Sequence, residues 1–424
     1  MTVLASSRGA FLDTFRSLRF RNFRLFFIGQ VISQSGSWMT MVAQTLLVLD
    51  MTGSGVLLGL LAAAQFGPVL FLGAWAGAVA DRSDKHRLLT ITQSAAMLQS
   101  LALGSVVLAG VATVPLIFVL AGIQGIITAF DNPARRSFVV EMVPRENLAN
   151  AVSLNSTLMT TSRMIGPALA GVLIVTVGYA WCFLLDGVSY LVVLAALRRM
   201  RPAEFFAEAP APRSPGQIRD GLRYVASNPE QLVPLVMMAI VGTFAFNFTV
   251  TTPLLITGPL GGSNQAYTLL VSTMSLGSVT GAIATARRRA IPFSHLVWSA
   301  VAFGIAMLAL ALAPALWVAY PIIFAVGLGS IAFMTTSTAM MQLQAEPRYR
   351  GRVLALQAMV FLGTTPIGSP LVGWMSDRFG PRTAIGFGAV ACFAAAWFGA
   401  RRLTERGLRS ADADPVQIVE RPVA

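Results

Sequence analysis

The sequence predicts an all-α integral membrane protein with twelve transmembrane helices in two pseudo-symmetric six-helix bundles. Three observations predict it. Of 424 residues, 55% are apolar and only 12% charged, with a mean hydropathy of +0.69, whereas a soluble domain carries about 25% charged residues. Twelve spans of about 20 apolar residues would use about 240, a fit to this chain with loops and tails to spare. The basic residues, finally, concentrate in alternate loops, as an orientation signal requires. The first observation excludes a water-soluble enzyme.

The first apolar run covers 23–49. It begins after Phe20 and is too long for the apolar core of a cleavable signal, so the first helix is expected to be retained. Further runs follow at 54–80, 88–110, 114–132, 151–176 and 180–197. Residues 198–230 break the pattern, because Pro202, Pro210, Pro212, Pro215 and mixed charge read as a linker. The second set lies at 231–256, 264–286, 293–313, 315–340, 353–375 and 384–400. The expected organisation is an N-terminal bundle (1–197), a cytoplasmic linker (198–230) and a C-terminal bundle with its tail (231–424). A shift of 203 places Phe130 on Phe333, Pro144 on Pro347, Arg145 on Arg348 and Pro167 on Pro370, each at an equivalent place in its half; a shift of 204 places Gly77 on Gly281.

Twelve spans put both termini and every even-to-odd connection on one side. That side holds 28 of the 31 lysines and arginines. Arg378 and Arg382 fall in the loop between helices 11 and 12, and Arg163 lies within helix 5. Both termini are therefore predicted cytoplasmic, in the cell membrane. Topology accounts for the net charge of +13, and nucleic acid is not an expected partner. Cys182 and Cys392 sit inside apolar runs, so neither a disulfide framework nor a metal site is expected, and no cofactor is implied. The only lysine is Lys85 and no G-x-x-x-x-G-K-[ST] cradle occurs, so transport would be secondary rather than ATP-driven.

The turn between helices 2 and 3 reads Gly77-Ala78-Val79-Ala80-Asp81-Arg82-Ser83-Asp84-Lys85-His86-Arg87. It resembles the loop signature of the major facilitator superfamily, G-x-x-x-D-R-x-G-R-[KR], with Asp84 where the pattern has glycine. Gly77 is expected to let helix 2 approach a neighbour closely, and Asp81 to favour the positive end of a helix dipole. With Arg82, Lys85, Arg87, Arg135 and Arg136 it forms the expected inner gate; the plainer alternative is a helix cap beside orientation charges. Helix 5 carries Gly166-Pro167-Ala168-Leu169-Ala170-Gly171, which resembles the G-P-x-x-x-G element of exporters in that superfamily. Pro366 to Gly373 in helix 11 is a looser partner. Phe23-Arg24-Leu25, Asp50 to Ser54, Asp131 to Arg136 and Val143 to Leu148 are similar to a branch that includes siderophore exporters and macrolide or multidrug efflux proteins. The resemblance runs over most of the chain. Against the family's helix 4 signature R-x-x-Q-G, this chain keeps Gln124 and Gly125 but has Ala121 for the arginine, so a coupling role through that arginine does not carry over.

A charge within a span costs about 2.5–3.5 kcal/mol and needs a partner or a wet cavity. Arg163 and Asp186 lie on consecutive antiparallel helices and are expected to pair. Two roles stay open, a lock between helices 5 and 6 or proton coupling, for which Asp131 is a further candidate. Helix 1 aligns Gln30, Gln34, Ser37, Met41 and Gln44; helix 4 aligns Ala121, Gln124, Thr128 and Asp131; helix 7 aligns Phe244, Asn247 and Thr251. Helices 1, 4, 7 and 10 line the cavity in the resembled family, which makes these residues candidates for substrate contact. Hydrogen bonding between helices, about 1 kcal/mol per contact, is the alternative. Neutral amides mixed with Phe and Met suit a sizeable amphipathic solute, and no ring of carboxylates collects metal cations.

The expected protein is a monomeric secondary transporter in the lipid bilayer that exports an amphipathic small molecule, drug-like compound or siderophore, by alternating access and proton antiport. Uptake by the same fold is one rival reading. A membrane-embedded sensor or enzyme without net transport is the other.

Overall fold

A computed structural model describes residues 15–206, 217–286, 292–346 and 349–405. The basic residues at 287–289, Arg348, the middle of the linker and most of the C-terminal tail lie outside them. Among the described residues every regular element is a helix. The first six long ones are α1 (Arg21–Thr52), α2 (Gly55–Arg82), α3 (Lys85–Leu108), α4 (Val114–Glu141), α5 (Leu148–Thr176) and α6 (Tyr179–Arg199). After the linker come α7 in two pieces (Pro229–Phe244 and Phe248–Thr257), α8 (Asn264–Ala286), α9 (Phe293–Ala311), α10 (Leu316–Gln344), α11 (Arg350–Phe379) and α12 (Pro381–Glu405).

Eleven of these twelve are long and apolar enough to cross a membrane. The remaining one, α1, is 32 residues long, and the glutamines and serines of its polar face lower its hydropathy. The protein is thus a multi-pass, all-helical membrane protein. Trp298, Trp317 and Trp397 stand exposed on its helices, as lipid-facing side chains do. Several helices outrun the apolar segments that predict them. α4 continues past 132 to Glu141, because Asp131 and Arg135 find partners inside the protein and need not end the helix. Pro133 within it is tolerated, and its carbonyl accepts from Ser137 Oγ at 2.6 Å.

The chain divides into two compact units, Met1–Leu47 with Gly67–Pro212, and Val48–Phe66 with Arg213–Ala424. The stretch 48–66, which belongs to the first half by sequence position, groups with the second. In the first unit α3 packs along α4 and α6, and α5 along α6. Phe23, Phe26, Leu89, Phe138, Met142 and Leu197 form an apolar core where α1, α3, α4 and α6 meet near their linker-side ends. In the second unit α8 packs on α10, and α9 on α10 and α12. α8 and α10 cross where Gly277 and Gly327 lie against backbone, so a Cβ on either would strike a carbonyl of the other helix.

The linker is less loose than its composition suggests. Its start joins the first unit: Phe206 N–H donates to the Glu141 carbonyl at 2.8 Å, and the Phe205 ring meets Phe138 edge-on at 5.3 Å. Its end is a helix, Gln217–Ser227, in the second unit. There Val225 is buried with Leu235, Met341 and Val353, and Tyr224 stacks on Tyr349 at 4.2 Å. An apolar stripe one residue wide, carried on a charged sequence, suffices to dock such a helix.

Candidate functional site

The polar face of α1 is the centre of a buried network in the first unit. Gln30, fully buried, accepts through Oε1 from Arg135 Nη1 at 3.2 Å and from Gln34 Nε2 at 3.4 Å. Arg135 Nη2 lies 3.3 Å from Asp131 Oδ2 one turn earlier in α4 and donates to Asn132 Oδ1 at 2.7 Å. Asp131 Oδ1 accepts from two neighbours on α3, Thr92 Oγ1 at 2.9 Å and Gln93 Nε2 at 2.8 Å. Three helices are thus joined through one carboxylate and one guanidinium. Three buried polar atoms on these helices, Gln30 Nε2, Gln93 Oε1 and Gln124 Oε1, have no hydrogen-bond partner among the described residues, where buried polar groups are ordinarily paired. Thr128 turns its hydroxyl back to the Gln124 carbonyl, and Met41 is half-buried beside the stripe.

Asp186 lies on the same unit's α6, 2% exposed, in different company. Its Oδ2 accepts from Ser100 Oγ at 2.9 Å. Gly36 on α1 makes room for it, since a Cβ there would sit 2.5 Å from Asp186 Oδ1. One turn on, Tyr190 OH shares a 3.0 Å hydrogen bond with Ser37 Oγ. The expected pair with Arg163 does not form: the Arg163 guanidinium stacks over the Trp38 ring, 4.5 Å from its centroid. The physical reason is packing of α5 on α1. Gly166 lies so close to α1 that a Cβ would stand 2.5 Å from Trp38 Cβ and 2.7 Å from the Ser35 carbonyl, while Ser35 and Ser162 hydroxyls approach to 3.3 Å. This register turns Arg163 toward Trp38. Pro167 and Gly171 are buried along the same helix.

The signature loop 77–87 has a simpler local structure than its pattern implies. Asp84 has φ −60° and ψ 111° and caps α3 by accepting from the Arg87 N–H at 3.1 Å. The turn therefore needs no left-handed residue, and aspartate serves where the pattern has glycine. Lys85 forms an ion pair with Glu141 at 2.6 Å, and His86 Nε2 bonds the Leu197 carbonyl at 2.9 Å. Asp81 is half-buried, and Arg82, Arg87 and Arg136 are exposed. The close approach expected at Gly77 is absent, since a Cβ there meets nothing within 4 Å. That side of α2 faces open space.

In the second unit, α7 is interrupted at Ala245–Asn247, where the sequence predicts one continuous span. Asn247 bridges the break: its Nδ2 donates to the Thr243 carbonyl at 2.7 Å, and its Oδ1 accepts from Ser369 Oγ on α11 at 2.8 Å. Short polar side chains here replace the helix's own hydrogen bonds, which is how backbone can unwind at membrane depth. Aromatic rings crowd the break. Phe246 lies 5.4 Å from both Phe303 and Phe361, and Phe244 meets Phe387 at 5.2 Å.

Sequence reading located Gln30, Gln34, Asp131 and Arg135 but not their α3 partners. Thr92, Gln93, Gln99 and Ser100 are all buried on that helix, and their recurrence at helical spacing is the signal that identifies a polar face. Ser369 carried no signal, being one serine among many small residues.

A family model described as transmembrane secretion effector matches residues 12–423. The staphyloferrin A transporter of Staphylococcus aureus is 25% identical over 362 residues, 84% of this chain and 90% of that protein. Macrolide efflux protein A of Streptococcus pyogenes is 22% identical over 377 residues, covering 85% and 92%. A crystal structure of a bacterial homologue of the human lysosomal transporter Spinster, inward-facing and unoccupied, superposes with a TM-score of 0.70 at 15% identity, covering 94% of this chain and 99% of that one.

Proposed function

Because this chain belongs to the transmembrane secretion effector family of the major facilitator superfamily, we propose that it exports an amphipathic small molecule in exchange for protons, with both termini in the cytoplasm. It is a membrane transporter of an alternating-access fold, not an enzyme, and its relatives carry efflux and transport names.

One observation supports the antiport reading above the others: Arg135 holds the coupling candidate Asp131 with one nitrogen and the α1 stripe residue Gln30 with the other. An ionised Asp131 attracts Arg135. A protonated Asp131 loses that attraction, and Arg135 and Gln30 are released to re-pair. A solute bonding to Gln30 or Arg135 competes with the same contacts. Proton and solute therefore act on one shared pair, and by linkage the effect of each on the other is reciprocal. Gln30, Gln34, Ser37, Met41, Gln124 and Thr128 of the first unit are proposed to contact the solute, and Phe244 and Asn247 of the second unit are proposed as contacts in their own right. Neutral amides, hydroxyls, a thioether and aromatic rings suit a molecule with both apolar body and polar groups, such as a siderophore or a macrolide-like compound.

Inverted membrane vesicles loaded with the protein test this reading with a fluorescent amphipathic dye. Accumulation under an inside-acid gradient, abolished by a protonophore, is expected. Accumulation in right-side-out vesicles only would establish uptake instead. Absence of saturable counterflow in proteoliposomes would remove transport of that class altogether.

A further inference from the structure

The end of α11 and the turn into α12 hold a second form of the signature, at a place the function above does not use. It reads Gly373-Trp374-Met375-Ser376-Asp377-Arg378-Phe379-Gly380-Pro381-Arg382. It meets G-x-x-x-D-R-x-G-R-[KR] at both glycines, the aspartate, the arginine and the last basic position, with Pro381 the one departure. Gly380, at φ +88°, makes the turn into α12.

Asp377 reaches a helix far away in the sequence. Its Oδ1 accepts from the Gly55 N–H at 2.6 Å, and its Oδ2 from the Val56 N–H and the Ser54 hydroxyl, both at 2.9 Å. Gly55 and Val56 open α2, where amides have no acceptor within their own helix and the dipole is positive. A side-chain oxygen usually fills this role from the residue just before the helix. Ser54 does so here, accepting from the Leu57 N–H at 3.3 Å, and Asp377 adds to it the acceptors for Gly55 and Val56 from another segment altogether.

The backbones around this cap are built to touch. Gly55 and Gly373 face each other and Gly59 faces the Ser369 carbonyl, so that a Cβ at any of the three glycines would collide with backbone. A second tie lies nearby, where Asn264 Nδ2 at the start of α8 donates to Asp50 in the last turn of α1 at 3.1 Å. These ties explain why residues 48–66 group with the second unit. Asp377 itself is exposed, as are its flanking residues Arg378 and Phe379. Water can therefore reach the carboxylate and take over the half-buried Ser54 and Val56 donors when it leaves, which makes the contact reversible.

We infer that Asp377 is the latch of the outer gate. It holds the α1–α2 turn against α11 while the outer side is closed and releases its three donors each time that side opens. The inference rests on the alternating access of the reading above, whichever way the solute moves, which requires these segments to part on the outer face.

Hydrogen–deuterium exchange on the full-length protein in nanodiscs, without solute, tests the latch by reading the amides of residues 54–58. Loss of one capping carboxylate is expected to speed exchange at Gly55 and Val56 about five- to tenfold. Asp377→Ala should show this rise and carry it through 48–66, while the start of α3, capped by Asp84, keeps its rate. Asp377→Asn keeps an acceptor oxygen without the charge and should fall between. Unchanged exchange at Gly55 and Val56 in Asp377→Ala overturns the latch, as does a rise spread evenly over all helices in both variants. If the wild-type protein fails to accumulate dye under a proton gradient yet the local rise appears, export falls and the latch stands.

Discussion

Asp131 and Asp186 are two carboxylates within helices of one unit, 7% and 2% exposed, and their surroundings could hardly differ more. Asp131 faces a guanidinium, a hydroxyl and an amide, and its cation has a second hold on α1. Asp186 faces the hydroxyls of Ser100, Thr40 and Ser189, lies against a glycine, and has no cationic partner among the described residues. A neutral side chain in place of Asp131 would leave Arg135 without its ion-pair partner. A neutral side chain in place of Asp186 would strand no cation among the described residues. The difference between them is that the charge of Asp131 is tied to a second group and the charge of Asp186 is not. On that ground Asp131 is the proton carrier we propose, and Asp186 the packing group between α3, α1 and α6.

The largest expected effect breaks the pair itself. Arg135→Ala leaves Asp131 buried beside only neutral donors, and loss of one partner of a buried ion pair costs about 3–5 kcal/mol. A fall in thermal stability of the purified protein is the readout, and a stability equal to wild type would remove the ion pair from the account. Asp131→Asn removes the charge while keeping the hydrogen-bonding shape. It should stay folded and keep dye counterflow but lose gradient-driven accumulation entirely; full accumulation in that variant would transfer the coupling role to another group.

Gly36→Ala probes the other carboxylate. Its new Cβ would stand 2.5 Å from Asp186 Oδ1, and overpacking of this sort costs about 1–3 kcal/mol. A methyl accepted at no cost would show that α1 and α6 are not pressed together there. Asp186→Asn sharpens the contrast, since the Ser100 bond survives the exchange. It should alter stability by no more than about 1.5 kcal/mol, the worth of one hydrogen bond, and leave gradient-driven accumulation in place, opposite to Asp131→Asn. The smallest effect is expected from Gln93→Ala, about 0.6 kcal/mol for one interhelical hydrogen bond in a membrane, measured by thermal denaturation alongside the others.

Much of this was legible beforehand. Apolar runs gave the helices because a span must be apolar along its whole length, and α1 announced its polar face through Gln30, Gln34, Ser37 and Met41 at helical spacing. Gly166 packs closely, against Trp38 and Ser35 of α1 within the first unit. The failures share a cause. Arg163 and Asp186 are at compatible depths on adjacent helices, yet rotation of α5 against α1 sends the arginine to Trp38. Gly77 was read as a contact glycine from a pattern and faces open space. The interruption of α7 left no trace in hydropathy, because Phe244 to Phe248 is as apolar as its neighbours apart from Asn247.

The sequence by itself determined the number and order of spans, the segregation of basic residues into alternate loops, and the family. Each of these depends on residue identity within a short window, where hydropathy, charge and motif letters act locally. Tertiary structure alone decided which polar groups share a hydrogen bond, a charge or a helix end. Asp377 and the amides it caps are more than 300 positions apart, and Asp131 draws its donors from a separate helix. Such pairings are set by the rotation and crossing of packed helices, which follow from how all their side chains fit together rather than from any one stretch of the chain.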